Sequence, residues 1–197
     1  LAEYLPSTIN GFKRDGLYYG LPKDFGTLAF FYNKEIFETL GLQPPTTYSE
    51  LVDAAEIIDS RKSELANPPL APMALINDGI RVIPFIYQLG GSFVDSNFEL
   101  YKQPTEQIRR GYQAYIDLFR KGFAQTPGNL GTDWLGSAFG EQRVAMIMSG
   151  IWSILFLQGN YPDLEYGLTT LPVMEVGEMK APLLTVAVAV NSQTKHP

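Results

Sequence analysis

The sequence predicts an α/β fold in which a mixed sheet is flanked by helices. Short apolar runs alternate along the chain with longer segments whose apolar residues recur at helical spacing, and this alternation argues against a β-sandwich. Two of the runs, at residues 27–32 and 72–76, are almost entirely apolar rather than apolar at every second position. Such runs are typical of strands that are covered on both faces.

The first predicted strands enclose a polar segment. Pro22 ends a short aromatic run, so Lys23, Asp24 and Gly26 are predicted to form a loop before the strand at residues 27–32. Because α/β proteins bind ligands at the edge of the sheet, this loop is a candidate binding element.

Two helices with clear end signals follow. Asn33 is a suitable N-cap for the first helix, and Gly41 is a suitable residue to end it. Thr47 and Glu50 have the spacing of a capping box, which predicts a second helix over residues 48–60.

The middle of the chain is predicted to contain two more helices. A turn-rich polar break at residues 77–81, Asn-Asp-Gly-Ile-Arg, leads into a helix at residues 82–89. Pro104 suits the first turn of a long amphipathic helix that Gly122 ends. The inward face of that helix is predicted to consist of Ile108, Tyr112, Ile116 and Phe119.

The last third of the chain continues the alternation. Thr132 or Asp133 is a candidate cap for a short helix, and residues 144–148 are predicted to form a strand that ends in a turn at Ser149 and Gly150. The remaining predicted elements are a helix at residues 151–157 and strands at residues 166–171 and 183–190, with a polar hairpin around Gly177.

The composition is that of an ordinary globular domain and excludes several kinds of chemistry. Of the 197 residues, 45% are hydrophobic and 18% are charged. The net charge of −6 makes a nucleic-acid partner unfavourable. The chain has no cysteine and a single histidine, His196, near its end, so neither a catalytic triad nor a metal site is expected, and no cofactor is implied.

Two aspartates are a candidate catalytic pair. Glycosidases need two carboxylates about 5–10 Å apart, and Asp24 and Asp78 both lie in predicted loops. Solvation of the loop or capping of a helix explains each residue equally well. The sequence does not give their separation, so both interpretations stay open.

The two tryptophans lie beside predicted turns and are candidate sugar platforms. Trp152 follows the turn at Ser149 and Gly150, and Trp134 opens the short helix before it. An indole at the edge of a loop offers a flat apolar face to the C–H face of a sugar. The alternative interpretation is that each ring packs in the core.

Six segments of the sequence, taken in order, carry a family resemblance. They read DGLYYGLPKDFG with YNKEIFETLGL, LGLQPPTTYSELVDAAEII, YQLGGSFVD, AFGEQRVAMIMSGIW, YGLTTLP and VAVAVNSQTKHP. Together they resemble the extracellular solute-binding proteins of ABC importers, in the class of the maltose-binding proteins. The resemblance extends along most of the chain.

The resemblance implies a set of ligand-binding residues. In the family, the loop after the first hinge strand faces the cleft between two lobes, and here that loop contains Lys23, Asp24 and Gly26. The tryptophan of the G-x-W turn, here Trp152, is the platform under a bound sugar, and Trp134 is a second candidate.

A second ligand loop precedes the helix that ends in two glycines, and here it contains Asp78 and Arg81. The maltose-binding class has a glutamate, a proline and two aromatic residues at this position, whereas this chain reads Asp-Gly-Ile-Arg. The resemblance therefore does not imply a maltodextrin ligand, and Arg81 suits a more polar or acidic sugar.

The resemblance also implies the architecture. The chain is expected to be a fragment of a type II periplasmic-binding-protein-like fold with two lobes. Residues 1–17 would be the tail of the preceding lobe, residues 18–190 the second lobe between two hinge strands, and residues 191–197 the start of the return to the first lobe. The ligand would bridge both lobes and so favour their closure about the hinge.

The implied function is non-enzymatic. The protein would bind a sugar or oligosaccharide outside the cytoplasm and deliver it to the membrane permease of an ABC importer. It would be a periplasmic or extracellular monomer, anchored as a lipoprotein if the source is a single-membrane bacterium. Two alternatives stay open: a carbohydrate-active hydrolase that uses Asp24 and Asp78, and a ligand-sensing domain of a signalling protein.

Overall fold

A computed structural model describes residues 3–95, 99–174 and 179–195. It contains helices and a mixed sheet, so the predicted fold class is confirmed. Contacts divide the chain into a first unit, Leu1–Thr27 with Pro182–Pro197, and a second unit, Leu28–Ala181. The lobe boundaries given above stay a prediction.

The first unit contains a short helix and a hairpin that the sequence-based prediction lacks. Helix α1 (Pro6–Ile9) precedes strands β1 (Lys13–Arg14) and β2 (Leu17–Tyr18). Asp15 and Gly16, between the strands, have φ angles of 50° and 81°, as a type I′ turn requires. The Asp-Gly pair is a strong local hairpin signal.

Strand β3 (Leu21–Asn33) extends through the predicted polar loop, so the prediction of a loop at Lys23, Asp24 and Gly26 is wrong. The first half of β3 pairs antiparallel with β8 (Leu183–Val188), and the register shifts just before Asp24. This bulge accommodates the extra residue Lys23. The backbone partners come from the far end of the sequence, which a local polar pattern does not reveal.

Five strands form the sheet of the second unit, in the order β5-β4-β6-β3-β7. β4 is parallel to both β5 and β6, whereas β3 is antiparallel to β6 and β7. The parallel strands therefore end at one edge of the sheet, where the second half of β3 begins. The bounds are β4 (Ala71–Ala74), β5 (Ala124–Gln125), β6 (Val144–Gly150) and β7 (Tyr166–Thr169).

Helices pack on this sheet and on each other, with α3 against β4, α6 against β6 and α4 against α5. Part of the core is a cluster that includes Phe31, Leu130 and Phe139, all buried. None of the helices in the described ranges is long and apolar enough to cross a membrane. Their bounds are α2 (Lys34–Leu40), α3 (Tyr48–Arg61), α4 (Gly79–Gln88), α5 (Glu106–Arg120), α6 (Leu135–Gly140) and α7 (Trp152–Asn160).

The predicted ends of α2 and α3 are confirmed. Asn33 accepts a hydrogen bond from the backbone N–H of Ile36, and Gly41 ends α2 with a φ of 68°. Thr47 and Glu50 form the predicted capping box at the start of α3.

The inward face of α5 differs from the prediction. Ile108 is buried as expected, but Tyr112 and Ile116 are 39% and 40% exposed, and the other buried residues of the helix are Gly111, Tyr115 and Leu118. The cause is the close approach of α4, which leaves no space for a side chain at Gly111. The helix also begins later than predicted, because Thr105 rather than Pro104 precedes it as the N-cap.

Two further local predictions are wrong. Neither Thr132 nor Asp133 caps α6, and Asp133 instead accepts a hydrogen bond from the hydroxyl of Ser137 at 2.8 Å. The predicted turn at Ser149 and Gly150 belongs to β6, which is longer than expected because both residues pair with β3. The predicted hairpin around Gly177 and the terminal His196 lie outside the described residues.

Candidate functional site

The edge at which β4 and β6 end carries three of the predicted ligand residues. Asp78 and Arg81 follow β4 at the start of α4, and Trp152 begins α7 directly after β6. Because β4 and β6 are parallel neighbours, these residues lie at the same edge of the sheet.

Asp78 and Arg81 form a compact pair. One carboxylate oxygen of Asp78 accepts a hydrogen bond from the backbone N–H of Arg81 at 2.9 Å, and the other accepts one from its guanidinium at 2.8 Å. The first bond makes Asp78 the N-cap of α4, which therefore begins at Gly79 and not at residue 82 as predicted. The capping interpretation of Asp78 is thus confirmed.

The Arg81 side chain is mostly buried, at 13% exposed, and its charge is compensated by Asp78. Its Nε atom is buried and has no hydrogen-bond partner among the described residues. The guanidinium is therefore held in place chiefly by Asp78.

Tyr115, on α5, fixes the segment that leads to this pair. Its hydroxyl donates a hydrogen bond to the carbonyl oxygen of Ile76 at 2.6 Å, and the same carbonyl accepts one from the backbone N–H of Asp78 at 2.9 Å. Burial raises the pKa of the Tyr115 phenol, and the negative charge of Asp78 raises it further, although Arg81 opposes this. Tyr115 is therefore a permanent donor at neutral pH, and the sequence-based prediction did not include it.

Trp152 is a partly exposed indole on a fixed base. The residue is 43% exposed, and its six-membered ring lies over Gly150. The buried hydroxyl groups of Ser149 and Ser153, which are adjacent in sequence to Gly150 and Trp152, lie 2.8 Å apart and share a hydrogen bond that ties β6 to α7. This arrangement leaves an apolar ring surface open at the edge of the sheet.

Trp134 is packed more closely than Trp152. Its ring lies over Gly136 and makes an edge-to-face contact with Phe156, at 4.6 Å between centroids and an interplanar angle of 75°. Such contacts are typical of a ring that anchors a core. A ligand-binding role for Trp134 stays a prediction.

The other predicted ligand residues belong to the first unit. Lys23 and Asp24 form an ion pair at 3.3 Å, with side chains 65% and 53% exposed, and the backbone carbonyl of Asp24 accepts a hydrogen bond from the hydroxyl of Thr185. An exposed pair of this kind contributes about 0–1 kcal/mol to stability. A ligand contact by Lys23, Asp24 or Gly26 stays a prediction.

The two candidate catalytic carboxylates belong to different units, Asp24 to the first and Asp78 to the second. Both carboxylate oxygens of Asp78 are engaged by Arg81. Within the described ranges, no group of three or more histidine, cysteine, aspartate or glutamate residues could hold a metal ion.

A surface pocket of about 410 Å³ lies near the end of β3, away from the edge described above. It contains none of the predicted ligand residues. Its lining is acidic and comprises Asn33, Lys34, Glu35, Glu38, Thr39, Gln142, Asp163, Leu164 and Glu165.

Comparison with known proteins identifies the family. The profile of the bacterial extracellular solute-binding protein family matches residues 1–197. The chain belongs to this family, which confirms the resemblance seen in the sequence.

Two curated relatives are named as sugar-binding proteins. The chain is 23% identical over 201 residues to the multiple sugar-binding protein of Streptococcus mutans, covering 95% of this chain and 46% of the relative. It is 24% identical over 201 residues to the arabinooligosaccharide-binding protein of Halalkalibacterium halodurans, covering 98% of this chain and 44% of the relative. The chain therefore spans about half the length of the curated relatives it matches.

A solved structure shows the same fold. An ABC substrate-binding protein of Listeria monocytogenes, in complex with cycloalternan, superposes with a TM-score of 0.79 at 19% identity, covering 98% of this chain and 50% of that one. The fold of one half of a substrate-binding protein is thus confirmed.

Proposed function

We propose that this chain is the second lobe of a sugar- or oligosaccharide-binding protein that serves an ABC importer. Family membership supports a binding role, and the two relatives named for sugars support the class of ligand. Neither relative is named as an enzyme, which favours binding without turnover.

The observation that carries the proposal is the open indole of Trp152 at the edge where the parallel strands end. A sugar presents a flat C–H face that stacks on such a ring, and hydroxyl groups that bind to polar neighbours. Trp152 is 43% exposed while the base of its ring is fixed, so the ring offers contact area at a small entropic cost.

The Asp78–Arg81 pair favours a neutral sugar, in contrast to the expectation from the sequence that Arg81 suits a more polar or acidic one. Its two charges lie 2.8 Å apart and compensate each other, and the Arg81 side chain is only 13% exposed. A carboxylate on the ligand would compete with Asp78 for the same guanidinium. We therefore place neutral mono- or oligosaccharides ahead of acidic ones.

The proposed mechanism is closure about a hinge. This lobe supplies one surface and the rest of the protein supplies the other, so that a ligand touching both stabilises the closed form. The closed form is then recognised by the permease. We propose that the whole protein acts as a monomer, is located outside the cytoplasm and is anchored as a lipoprotein if its source has a single membrane.

The test is titration calorimetry on the full-length protein against neutral and acidic mono- and oligosaccharides. We expect saturable binding of a neutral sugar without product formation, and clearly weaker but still measurable binding in Trp152→Ala. Tyr112→Ala is a matched control, because it removes an aromatic ring of similar exposure from α5.

The outcomes separate the candidate functions. Unchanged binding in Trp152→Ala would remove that residue from the site, and absence of binding across the panel would contradict the proposal. Release of product during the titration would instead favour a hydrolase.

A further inference from the structure

We propose that Gly150 positions Trp152 for stacking, and that the absence of a side chain at residue 150 strengthens ligand binding. This inference deepens the proposed function and depends on it for its consequence in ligand binding. The positioning itself is a property of the chain alone.

The geometry that carries the inference is the contact between the indole and the end of β6. A methyl group built on Gly150 meets three consecutive atoms of the six-membered ring of Trp152, Cζ2, Cη2 and Cζ3, at nearly equal distances far inside van der Waals contact. A point equally close to three consecutive ring atoms lies over the face of the ring and not at its edge. The glycine backbone therefore covers one face of the indole.

The backbone conformation does not explain why a glycine is needed here. Gly150 is absent from the glycines with positive φ, so the strand conformation is open to any residue. The three heavy atoms nearest to the added methyl group, apart from the adjoining residues, all belong to Trp152. The indole is therefore the closest obstacle to a side chain at this position.

The base under the ring is rigid. Gly150 is buried and pairs with Leu28 in the β3–β6 ladder. The hydroxyl pair of Ser149 and Ser153 holds the first turn of α7, which begins with Trp152, against the end of β6. Because the base does not yield, a side chain at residue 150 has to displace the indole.

The consequence is a ring with one covered face and one open face. A ring held in this way stacks on a sugar without first being ordered, and such preorganisation improves affinity. A ring displaced by the Gly150→Ala substitution would lose that advantage even though every atom of the indole is still present.

The chain offers a matched control for the steric effect. A methyl group built on Gly140, at the end of α6, also meets an aromatic ring, that of Tyr161, although two of the three nearest ring atoms are clearly closer than the third. Gly140→Ala therefore introduces a comparable clash between a methyl group and an aromatic ring, but not at Trp152.

The first experiment is ¹⁹F NMR of the full-length protein labelled with 5-fluorotryptophan, without sugar. The Trp152 signal is assigned as the one that is lost in Trp152→Phe. We expect Gly150→Ala to shift or broaden this signal, and Gly140→Ala to leave it in place. An unchanged Trp152 signal in Gly150→Ala would overturn the proposal whether or not the protein binds sugars.

The second experiment is a double-mutant cycle on sugar affinity, with the neutral sugar that binds wild type best. We expect Gly150→Ala to weaken binding about three- to tenfold, the range for a lost aromatic contact. In a Trp152→Ala background the same change should have almost no effect, because the ring through which it acts is gone. Equal effects in both backgrounds would overturn the proposal.

Failure to fold is also informative. If Gly150→Ala does not fold, we expect the double variant Gly150→Ala/Trp152→Ala to fold, because it removes the clash. A double variant that also fails to fold contradicts the proposal. If wild type binds none of the sugars while the ¹⁹F signal shifts as expected, the proposed function fails and the positioning role stands.

Discussion

The hydroxyl of Tyr115 lies 2.6 Å from the carbonyl oxygen of Ile76 and donates a hydrogen bond to it. The contact joins α5 to the segment between β4 and α4, where Asp78 and Arg81 lie. A buried tyrosine hydroxyl without a hydrogen-bond partner destabilises the folded state. The bond to Ile76 therefore provides the hydroxyl with a partner and also fixes the segment.

Tyr115→Phe should lower the free energy of unfolding by about 1 kcal/mol, because one buried hydrogen bond is lost while the ring packing is kept. Urea denaturation with a two-state fit measures this difference. Tyr112→Phe is the control, since Tyr112 is 39% exposed on the same helix and its loss should cost less than about 0.5 kcal/mol. Equal effects of the two variants would show that the bond to Ile76 contributes nothing.

Asp78 has two roles that different substitutions separate. Asp78→Ala removes both the cap of α4 and the partner of Arg81, and should lower the free energy of unfolding by about 2 kcal/mol. Asp78→Asn keeps a good cap and removes only the charge, so about 1 kcal/mol is expected. Denaturation curves of both variants check that Asp78→Ala is the less stable of the two. If Asp78→Asn lowers the free energy of unfolding as much as Asp78→Ala does, the whole effect belongs to the ion pair.

Gly111 sets how closely α4 and α5 approach. A methyl group on Gly111 would lie 2.6 Å from Cγ1 of Ile86 and 2.9 Å from its backbone nitrogen, and that nitrogen cannot move without shifting α4. Gly111→Ala should therefore lower the free energy of unfolding by about 1–3 kcal/mol.

Gly159, in α7, provides the opposite case. It has no heavy atom within 4 Å of an added methyl group and does not have a positive φ. Gly159→Ala should raise the free energy of unfolding by about 0.5–1 kcal/mol, the usual gain in helix propensity. Thermal denaturation of the two variants should shift the midpoint in opposite directions, and shifts of the same sign would contradict the packing argument.

Local signals predicted the elements whose ends depend on neighbouring residues. Asn33 and Gly41 bound α2, and Thr47 with Glu50 begins α3, because caps act over three or four residues of sequence. Asp78 acts over the same short distance, because its side chain accepts a hydrogen bond from the backbone N–H of Arg81, three residues later, in the first turn of α4.

Contacts between residues far apart in the sequence account for two of the predictions that are wrong. Asp24 lies in a strand because β8, about 160 residues away, pairs with it. Tyr112 faces outward because Gly111 allows α4 to approach, and the apolar period of α5 alone does not indicate that contact.

The candidate site was predictable only in part. Trp152 stands out in the sequence as a tryptophan two residues after a glycine, but its stacking on Gly150 depends on how β6 and α7 meet. Tyr115 gives no signal at all, because its partner is a backbone carbonyl 39 residues away.

Tyr48 provides a test of the core through its titration. Its hydroxyl donates a hydrogen bond to the carbonyl oxygen of Ala114 at 2.8 Å, and burial, followed by the nearby charge of Asp117, raises the pKa of the phenol from 10.0 to about 12. The unfolded chain therefore releases this proton at lower pH than the folded chain. The stability that Tyr48 contributes is complete below pH 10 and is lost as the pH rises toward 12.

Tyr48→Phe should consequently be less stable than wild type at pH 8 by about 1 kcal/mol, through the lost hydrogen bond. The difference in stability between wild type and Tyr48→Phe should shrink between pH 10 and 12. The upper limit of this change is about 1.4 kcal/mol per pH unit. The observed change should be smaller, because water screens the half-buried phenol. Urea denaturation at pH 8, 10 and 11 measures how the stability of wild type and of Tyr48→Phe changes with pH. If Tyr48→Phe runs parallel to wild type, the ionisation of Tyr48 is not coupled to folding, and the contact with Ala114 does not hold the phenol in its neutral form.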